Sequence, residues 1–463
     1  MGLGHLFNFF FSDPSDALSY LSIFGGALAA VAIYLVGRSL FDRTTGAVAA
    51  LLLLFSPMNW LYSEVALSYE IELPLVIALT WLLYQLFFHK RYLFLNAIIM
   101  GIAYGFRQDA LLFLGPFFLI GSIRLGRRKM LISWGILIAT TLAWFVPQVM
   151  LAGGLTAYRQ LSGSQFENAL FDSSVFAAGL DGLLGNLKTA WISIIWFFGA
   201  ANVVFLYLPF YFRKYRILSS RTQFFLLILP APAILFFILI FFRQPYMLVF
   251  STPFMLLLAA ALVHYVKEVT AFIKGGSSEG KISAFVYLSL FLAIICWVNV
   301  FLFTRVLDIN FEIPFTGGTV SAVFGPYSAE GISLTDQKEE YVAMAIHNYD
   351  PADTVVIATV PADWRRLMYY LPKYEIVLLK QDLGSGYFLG QNGHSGFYDG
   401  TEINLPKGTK HTLFVELNPS TADFQLSPVQ GIPTAVQIRV ADIAPGRPLH
   451  AAPYTIAVPG SPG

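Results

Sequence analysis

Ten mostly apolar stretches, many close to the length that crosses a lipid bilayer, dominate this chain. They fall near residues 17–37, 46–63, 73–88, 93–106, 110–123, 131–150, 190–210, 222–242, 247–266 and 283–303. A hydrocarbon core about 30 Å thick takes about 20 residues of helix. In lipid, only helices and closed barrels satisfy their own backbone N–H and C=O groups. The expected fold is therefore an all-α polytopic membrane protein. Composition agrees: 12% of residues are charged, against about 25% in a soluble domain, too few to cover a water-facing surface. The runs at 93–106 and 110–123 are short. They read either as half-helices meeting at a polar break or as short, tilted spans.

The basic residues are distributed unevenly between these runs. Fifteen lie in every second connection: Arg38, Arg43, Lys90, Arg91, Arg124, Arg127, Arg128, Lys129, Arg213, Lys214, Arg216, Arg221, Lys267, Lys274 and Lys281. The alternate connections hold four: Arg107, Arg159, Lys188 and Arg243. Short cytoplasmic loops carry the Lys/Arg excess, so the fifteen are expected in the cytoplasm and the four at the outer face. That orientation puts the region after about residue 304 outside. It also starts the N-terminus outside. Residues 1–16 read as the end of an outer-face loop whose preceding span is missing, or as an outside N-terminus whose first helix inserts as a reverse anchor.

From about residue 336 charges return and apolar runs shorten. A helix is expected over Asp336–Asn348, a buried strand over Thr354–Val360, a helix over Asp363–Leu371 and a strand over Tyr374–Lys380. Further strands are expected over His411–Leu417 and Val436–Val440. The Gly-rich 383–400 region reads as a loop and the Pro453–Gly463 tail as frayed. Residues 305–463 are thus expected to form a small α/β domain outside the membrane, following a helical domain over 17–304. It reads as an accessory domain, since nothing in it resembles a catalytic motif.

Ionisable side chains at membrane depth are costly, so each is a candidate for function. After the second run comes Trp60-Leu-Tyr62-Ser63-Glu64-Val-Ala-Leu-Ser68-Tyr69-Glu70-Ile-Glu72. If helical, this places Glu64, Ser68 and Glu72 on one face, with Tyr69 beside them. A carboxylate at a membrane boundary can serve as a general base, or hold a metal ion or a sugar hydroxyl; a solvated loop is the plainer alternative. The break Phe106-Arg107-Gln108-Asp109 offers a guanidinium fork that matches phosphate oxygens, or else a structural Arg107–Asp109 ion pair. Arg243-Gln244-Pro245-Tyr246 repeats the theme, with snorkelling of Arg243 to the headgroups as the alternative. The connection from Gly153 to about 189, with Glu167, Asp172 and Asp181, is the longest between spans and has the length of a substrate lid.

Four stretches together resemble a known family. They are AVAIYLVGRSLFDR (Ala30–Arg43), LFSPMNWLYSEVALSY (Leu54–Tyr69), GIAYGFRQDALLFLGPFFLIGSIRLGRR (Gly101–Arg128) and RQPYMLVFSTP (Arg243–Pro253). Residues 17–305 resemble the GT-C polytopic membrane glycosyltransferases, in particular bacterial enzymes similar to protein O-mannosyltransferases and aminoarabinose transferases. The run DWRRLMYYLPKY within 363–374 is similar to outer-domain sequence of some relatives. The resemblance implies transfer of a sugar from a polyprenyl-phosphate donor to a lipid, protein or polysaccharide acceptor on the outer face. It further implies inversion at the anomeric carbon. An acidic residue of the first outer loop would deprotonate the acceptor, and basic residues would hold the departing phosphate. That loop normally lies between the first and second spans. This chain is expected to begin just after it, with only Asp13 and Asp16 left, neither at the family's catalytic position. Glu64, Asp13 and Asp16 are therefore the acids carried forward as catalytic candidates. Arg107, Arg243, Tyr246, Tyr69 and Glu70 are carried forward for substrate and phosphate.

Other classes are constrained. The net charge of +1 gives no pull toward nucleic acid, and no P-loop, dinucleotide glycine loop or zinc-type Cys/His spacing is present. No cofactor is specified, although the acids leave room for a divalent cation. The lone Cys296 reads as a buried thiol. A transporter or flippase of lipid-linked glycans is the competing class. Internal repeats would favour it, and none is evident between the halves. A catalytically inactive homologue is the third reading.

Overall fold

The computed structural model describes residues 10, 14–64, 69–151, 153–156, 158–159, 174–215, 220–240, 250–274, 278–304, 308–312, 319–323, 329–359, 371, 373–379, 385–389, 395–399, 402–415, 427–429, 438–442, 449–451 and 454–457. The chain divides into two units after Ala329, somewhat beyond the boundary expected near 304.

The first unit is helical. Its helices are α1 (Pro14–Leu40), α2 (Arg43–Leu54), α3 (Pro57–Glu64), α4 (Tyr69–His89), α5 (Leu93–Phe106), α6 (Asp109–Ile123), α7 (Arg127–Leu151), α8 (Val175–Phe198), α9 (Leu208–Tyr215), α10 (Arg221–Ile228), α11 (Ala231–Leu239), α12 (Thr252–Lys274) and α13 (Ser278–Thr304), and a 3-10 turn covers Gly199–Leu206. Among the described residues, seven segments are long and apolar enough to cross a membrane, and the bent pair α2–α3 can make an eighth. The helices α5 and α6 remain short, at 14 and 15 residues, or about 21 and 22 Å.

Two expectations about the spans need correction. The run at 46–63 is not one helix, because α2 and α3 meet at an angle of 57°. Pro57 starts α3, where its missing N–H is harmless. Ser56 donates its hydroxyl to the Phe197 carbonyl at 2.6 Å, tying the break to α8. The connection before residue 190 is shorter than expected, since α8 begins at Val175. Ser174 caps it, accepting the Ala177 N–H through its side chain, and Val175, Phe176, Leu180, Leu183, Leu184 and Leu187 extend the apolar stretch. The run at 222–242 holds one span-length segment, Arg221–Leu239, in which α10 and α11 meet at Pro230.

Small residues and side-chain amides join the helices. Gly37 and Gly46 face one another across α1 and α2, and a Cβ on Gly37 would lie 2.8 Å from the Gly46 Cα. Such pairs let helix backbones approach closely where no hydrophobic effect drives association. Asn96 donates to the Leu82 carbonyl at 2.9 Å, Trp144 Nε1 to the Gly101 carbonyl at 3.0 Å and Asn186 to the Ile238 carbonyl at 3.1 Å. At the end where α1 passes to α2, Lys267 reaches Asp42 at 3.3 Å, and Lys214 pairs with Glu268. A two-stranded hairpin, β1 (Asp308–Glu312) with β2 (Thr319–Val323), follows α13.

The second unit begins with α14 (Ala329–Ile346), which crosses the division by one residue, and is built around a seven-stranded mixed sheet. Its strands are β3 (Thr354–Thr359), β4 (Glu375–Leu379), β5 (Ser385–Leu389), β6 (Ser395–Asp399), β8 (His411–Val415), β9 (Ser427–Pro428) and β10 (Ile438–Asp442), in the order β6-β5-β4-β3-β8-β10-β9. β3 runs parallel to β4 and β8. Parallel neighbours need a crossover connection, and the helix expected over 363–371 lies mostly outside the described residues. Val342 and Ile346 of α14 pack with Val356, Ile376 and Leu413 of the sheet as a buried core. The Gly-rich region is not simply a loop, because β5 and β6 pair there as an antiparallel hairpin. Tyr387, Phe388, Phe397 and Tyr398 supply the aromatic strand preference that the surrounding glycines obscure. The tail is likewise ordered in part. β12 (Tyr454–Ala457) pairs with β11 (Leu449–Ala451) and runs parallel to β7 (Glu402–Asn404).

Candidate functional site

The first turn of α4 carries Tyr69, Glu70 and Glu72, and two of these share a face. Residues three apart on a helix are neighbours, whereas residues two apart point to different sides. Tyr69 and Glu72 accordingly meet the α5–α6 junction, and Glu70 turns toward α1 and α3.

At that junction α5 stops at Phe106, because Arg107 is extended, with φ −150° and ψ 135°. Arg107 directs its guanidinium at two carboxylates and a ring. Nη2 donates to Asp109 Oδ2 at 2.8 Å, and Nε lies 3.1 Å from the same oxygen. Nε also stands 3.3 Å from Glu72 Oε2. The guanidinium carbon lies 4.2 Å from the Tyr69 ring centroid, a cation–π contact, and the Tyr62 ring meets Tyr69 edge-on at 5.6 Å. Glu72 is wholly enclosed. Its oxygens have no hydrogen-bond partner among the described residues, so the 3.3 Å approach of Arg107 is an ion pair without hydrogen-bond alignment. Burial disfavours the Arg107 charge, but Asp109, Tyr69 and Glu72 outweigh it and raise its pKa above the ordinary arginine value. The cluster thus holds a fixed cation between two carboxyl groups, and Asp109 is the structural partner considered as the alternative for this break. Beside it, Gln108 donates to the Tyr158 hydroxyl at 2.8 Å, and Tyr104 packs edge-on against Trp144 at 5.3 Å.

Glu70 occupies a separate enclosure. It is wholly buried, and neither oxygen has a hydrogen-bond partner among the described residues. Gly26 of α1 leaves the room for it: a Cβ there would lie 3.1 Å from Glu70 Oε2 and overlap the Ser63 hydroxyl. Gly25 likewise gives way to the Glu70 carbonyl. That carbonyl would accept the N–H of residue 74 in a regular helix, and Pro74 has none.

The sequence candidates are therefore divided. Tyr69, Arg107 and Asp109 come together, joined by Glu72, whose role the sequence left open. Glu64 stands apart, exposed at the end of α3, so Glu64 and Glu72 do not share an environment. Asp13, Arg243, Tyr246, Glu167 and Asp172 lie outside the described residues, and of Asp16 only the backbone, in α1, is described. Asp181 is exposed on α8. Among the described residues no three His, Cys, Asp or Glu side chains are grouped to hold a metal ion. The Gly26–Ser63 enclosure escaped sequence reading, and its one signal was the Gly25-Gly26 pair inside an apolar run.

Comparison with known proteins covers this same region. Residues 3–151, which contain both glutamate environments, match the family model of dolichyl-phosphate-mannose-protein mannosyltransferase. No curated protein matches the chain. Two solved structures of ArnT from Cupriavidus metallidurans are similar in fold at 11% identity. The apo structure superposes with a TM-score of 0.53 over 91% of this chain and 82% of ArnT. The structure bound to undecaprenyl phosphate superposes with a TM-score of 0.55 over 96% and 87%. Partial family match and nearly full-length likeness to ArnT agree with the motifs above: the chain has the fold of the GT-C-type polytopic membrane glycosyltransferases.

Proposed function

We propose that this chain is a membrane glycosyltransferase that moves a sugar from a polyprenyl-phosphate donor to an envelope acceptor at the extracytoplasmic face. One observation carries the reading. The enclosed Arg107–Glu72–Asp109–Tyr69 cluster lies at the end of the bundle opposite the Lys/Arg-rich connections, inside the segment matched by a lipid-phosphate-sugar transferase family. The ArnT fold, solved with undecaprenyl phosphate, supports the same donor class.

In this reading the anomeric carbon–oxygen bond to phosphate breaks as the acceptor oxygen attacks from the opposite side. The phosphate leaves with the bonding electrons, and Arg107 compensates the charge it gains. A guanidinium fork suits this role because it binds phosphate oxygens bidentately. Asp109 and Glu72 aim the fork before the donor arrives, and preorganised charge is the largest single source of transition-state stabilisation. The acceptor proton passes to a carboxylate at the outer rim. Glu64, exposed at the end of α3, is the described acid an acceptor reaches. Asp13 and Asp16 share that assignment from sequence, and Arg243 and Tyr246 complete the proposed substrate contacts, whereas Glu70, carried forward from sequence for the same role, is enclosed against α1 and Ser63 and is set aside. The orientation inferred from the basic connections puts this end of the bundle, and the α/β unit, outside a bacterial inner membrane.

The test is an assay in proteoliposomes with labelled polyprenyl-phosphate sugars and a lipid, peptide or polysaccharide acceptor. Release of free polyprenyl phosphate together with labelled acceptor is expected, and it should be lost in Arg107→Ala. Movement of intact donor between leaflets without bond cleavage would instead establish the flippase reading.

A further inference from the structure

The opposite end of the same helices carries positive charge that has no ion-pair partner among the described residues. Lys90 and Arg91 form the α4–α5 turn, and Arg124, Arg127, Arg128 and Lys129 form the α6–α7 turn. The two turns are neighbours, since the Arg124 guanidinium lies 5.1 Å from the centroid of the Phe87 ring near the end of α4. All six side chains are exposed. Among the described residues none of them makes an ion pair, and Asp42 and Glu268, the acids whose side chains are described on this side, are engaged with Lys267 and Lys214. Between Leu73 and Phe166 the sequence contains one acid, Asp109, which lies at the far end.

This arrangement is electrostatically unfavourable in isolation. Arg127, Arg128 and Lys129 open α7, and a helix N-terminus carries a partial positive charge that favours anions. Gly126, at φ +93°, turns the chain tightly so that Arg124 stays beside them. An excess of Lys/Arg fits the cytoplasmic side of a membrane protein, but cations placed on a helix N-terminus cost stability unless an anion joins them. Exposed Phe94, Leu131 and Ile132 lie just inside the two turns, so an anion arriving here has apolar surface beneath it. Phosphate above and hydrocarbon below describe a phospholipid.

We propose that the α4–α5 and α6–α7 turns form a binding site for the headgroup of an anionic phospholipid. The site is independent of the sugar-transfer reading and holds whichever reaction the other end performs. Juxtamembrane cations attract anionic lipid with about 1 kcal/mol each, about fivefold in affinity.

The full-length protein in detergent is mixed with equal amounts of phosphatidylglycerol and phosphatidylcholine, and bound lipid is read by native mass spectrometry. Selective retention of phosphatidylglycerol is expected. It should weaken about a hundredfold in the Arg124→Ala/Arg127→Ala/Arg128→Ala variant and survive in the matching triple Lys variant, which also covers the case in which the alanine variant fails to fold. Millimolar inorganic phosphate should not displace the lipid, and sodium chloride should. Equal retention of both lipids, an undiminished preference in the alanine variant, loss of it in the Lys variant, or displacement by inorganic phosphate would each overturn the proposal.

Discussion

Replacing Arg107 by alanine tests whether the cluster at the α5–α6 junction is what holds that end of the bundle together. The substitution removes the cation 3.3 Å from Glu72 and 2.8 Å from Asp109, and the contact over Tyr69 at 4.2 Å. Glu72 has no access to solvent, so water cannot replace the lost contact. Removing one partner of a buried pair costs about 3–5 kcal/mol, a figure that includes the cation–π contact of up to about 2 kcal/mol. Arg107→Lys keeps the charge but loses the fork, and should fall between parent and alanine variant. Double substitution, Arg107→Ala with Glu72→Ala, should cost less than the two singles together by about 1–3 kcal/mol, because the buried carboxyl group left without its partner is gone. Reversible unfolding of the purified protein in mixed micelles, followed by helical circular dichroism, reads these differences. The same variant should lose sugar transfer. One charge-assisted contact to phosphate contributes about 1.5–3 kcal/mol, or about 10- to 150-fold in kcat/KM. An alanine variant within about 0.5 kcal/mol of the parent would refute the structural reasoning. Parent-like transfer by a stably folded variant would remove Arg107 from the donor site.

Other outcomes follow from particular contacts. Gly26→Ala inserts a methyl group against Ser63 and Glu70 and should destabilise by about 1–3 kcal/mol, measured in the same micelle assay; a neutral result would mean that α1 and α4 are not packed so closely. Trp144→Phe keeps the ring near Tyr104 but removes the bond to the Gly101 carbonyl, a loss of about 0.5–1.5 kcal/mol that unfolding midpoints should register. Asp42 gives an acid dependence. Burial pushes its pKa up, but the Thr45 N–H and Lys267 together bring it below the ordinary carboxylate value. The unfolded chain then binds more protons, so this contribution is complete above about pH 4 and disappears as pH falls through the lower folded value. Asp42→Asn should flatten the stability profile over that acidic window, and an unchanged slope would contradict the assignment.

Much of the helical unit was legible because membrane helices announce themselves by length and apolarity alone. What those signals miss is where a run stops being one helix. Ser56-Pro57 and Pro230 sit inside apolar stretches, and hydropathy passes over them, although the helix is interrupted at both and not at Pro74, Pro116 or Pro147. Asn186 and Lys188 interrupt the apolar stretch that opens at Val175, so the start of α8 was placed too late. In the α/β unit, glycines at 384, 386 and 396 hid two strands whose aromatic residues were visible. The site was half legible. The residue types and the Arg107 break stood out, but sequence spacing grouped Glu72 with Glu64 on an assumed continuous helix. Glu64 stands exposed at the end of α3, whereas Glu72, in the first turn of α4, is enclosed beside the arginine.

The back-to-back acids of α4 also limit how this protein moves. With Tyr69 and Glu72 held on one flank and Glu70 seated behind glycine on the other, only one angular setting of the helix suits both. Rotating it by one residue, about 100°, would take Tyr69 and Glu72 away from Arg107 and Glu70 out of the space that Gly26 leaves. These contacts fix the rotation of α4 about its own axis.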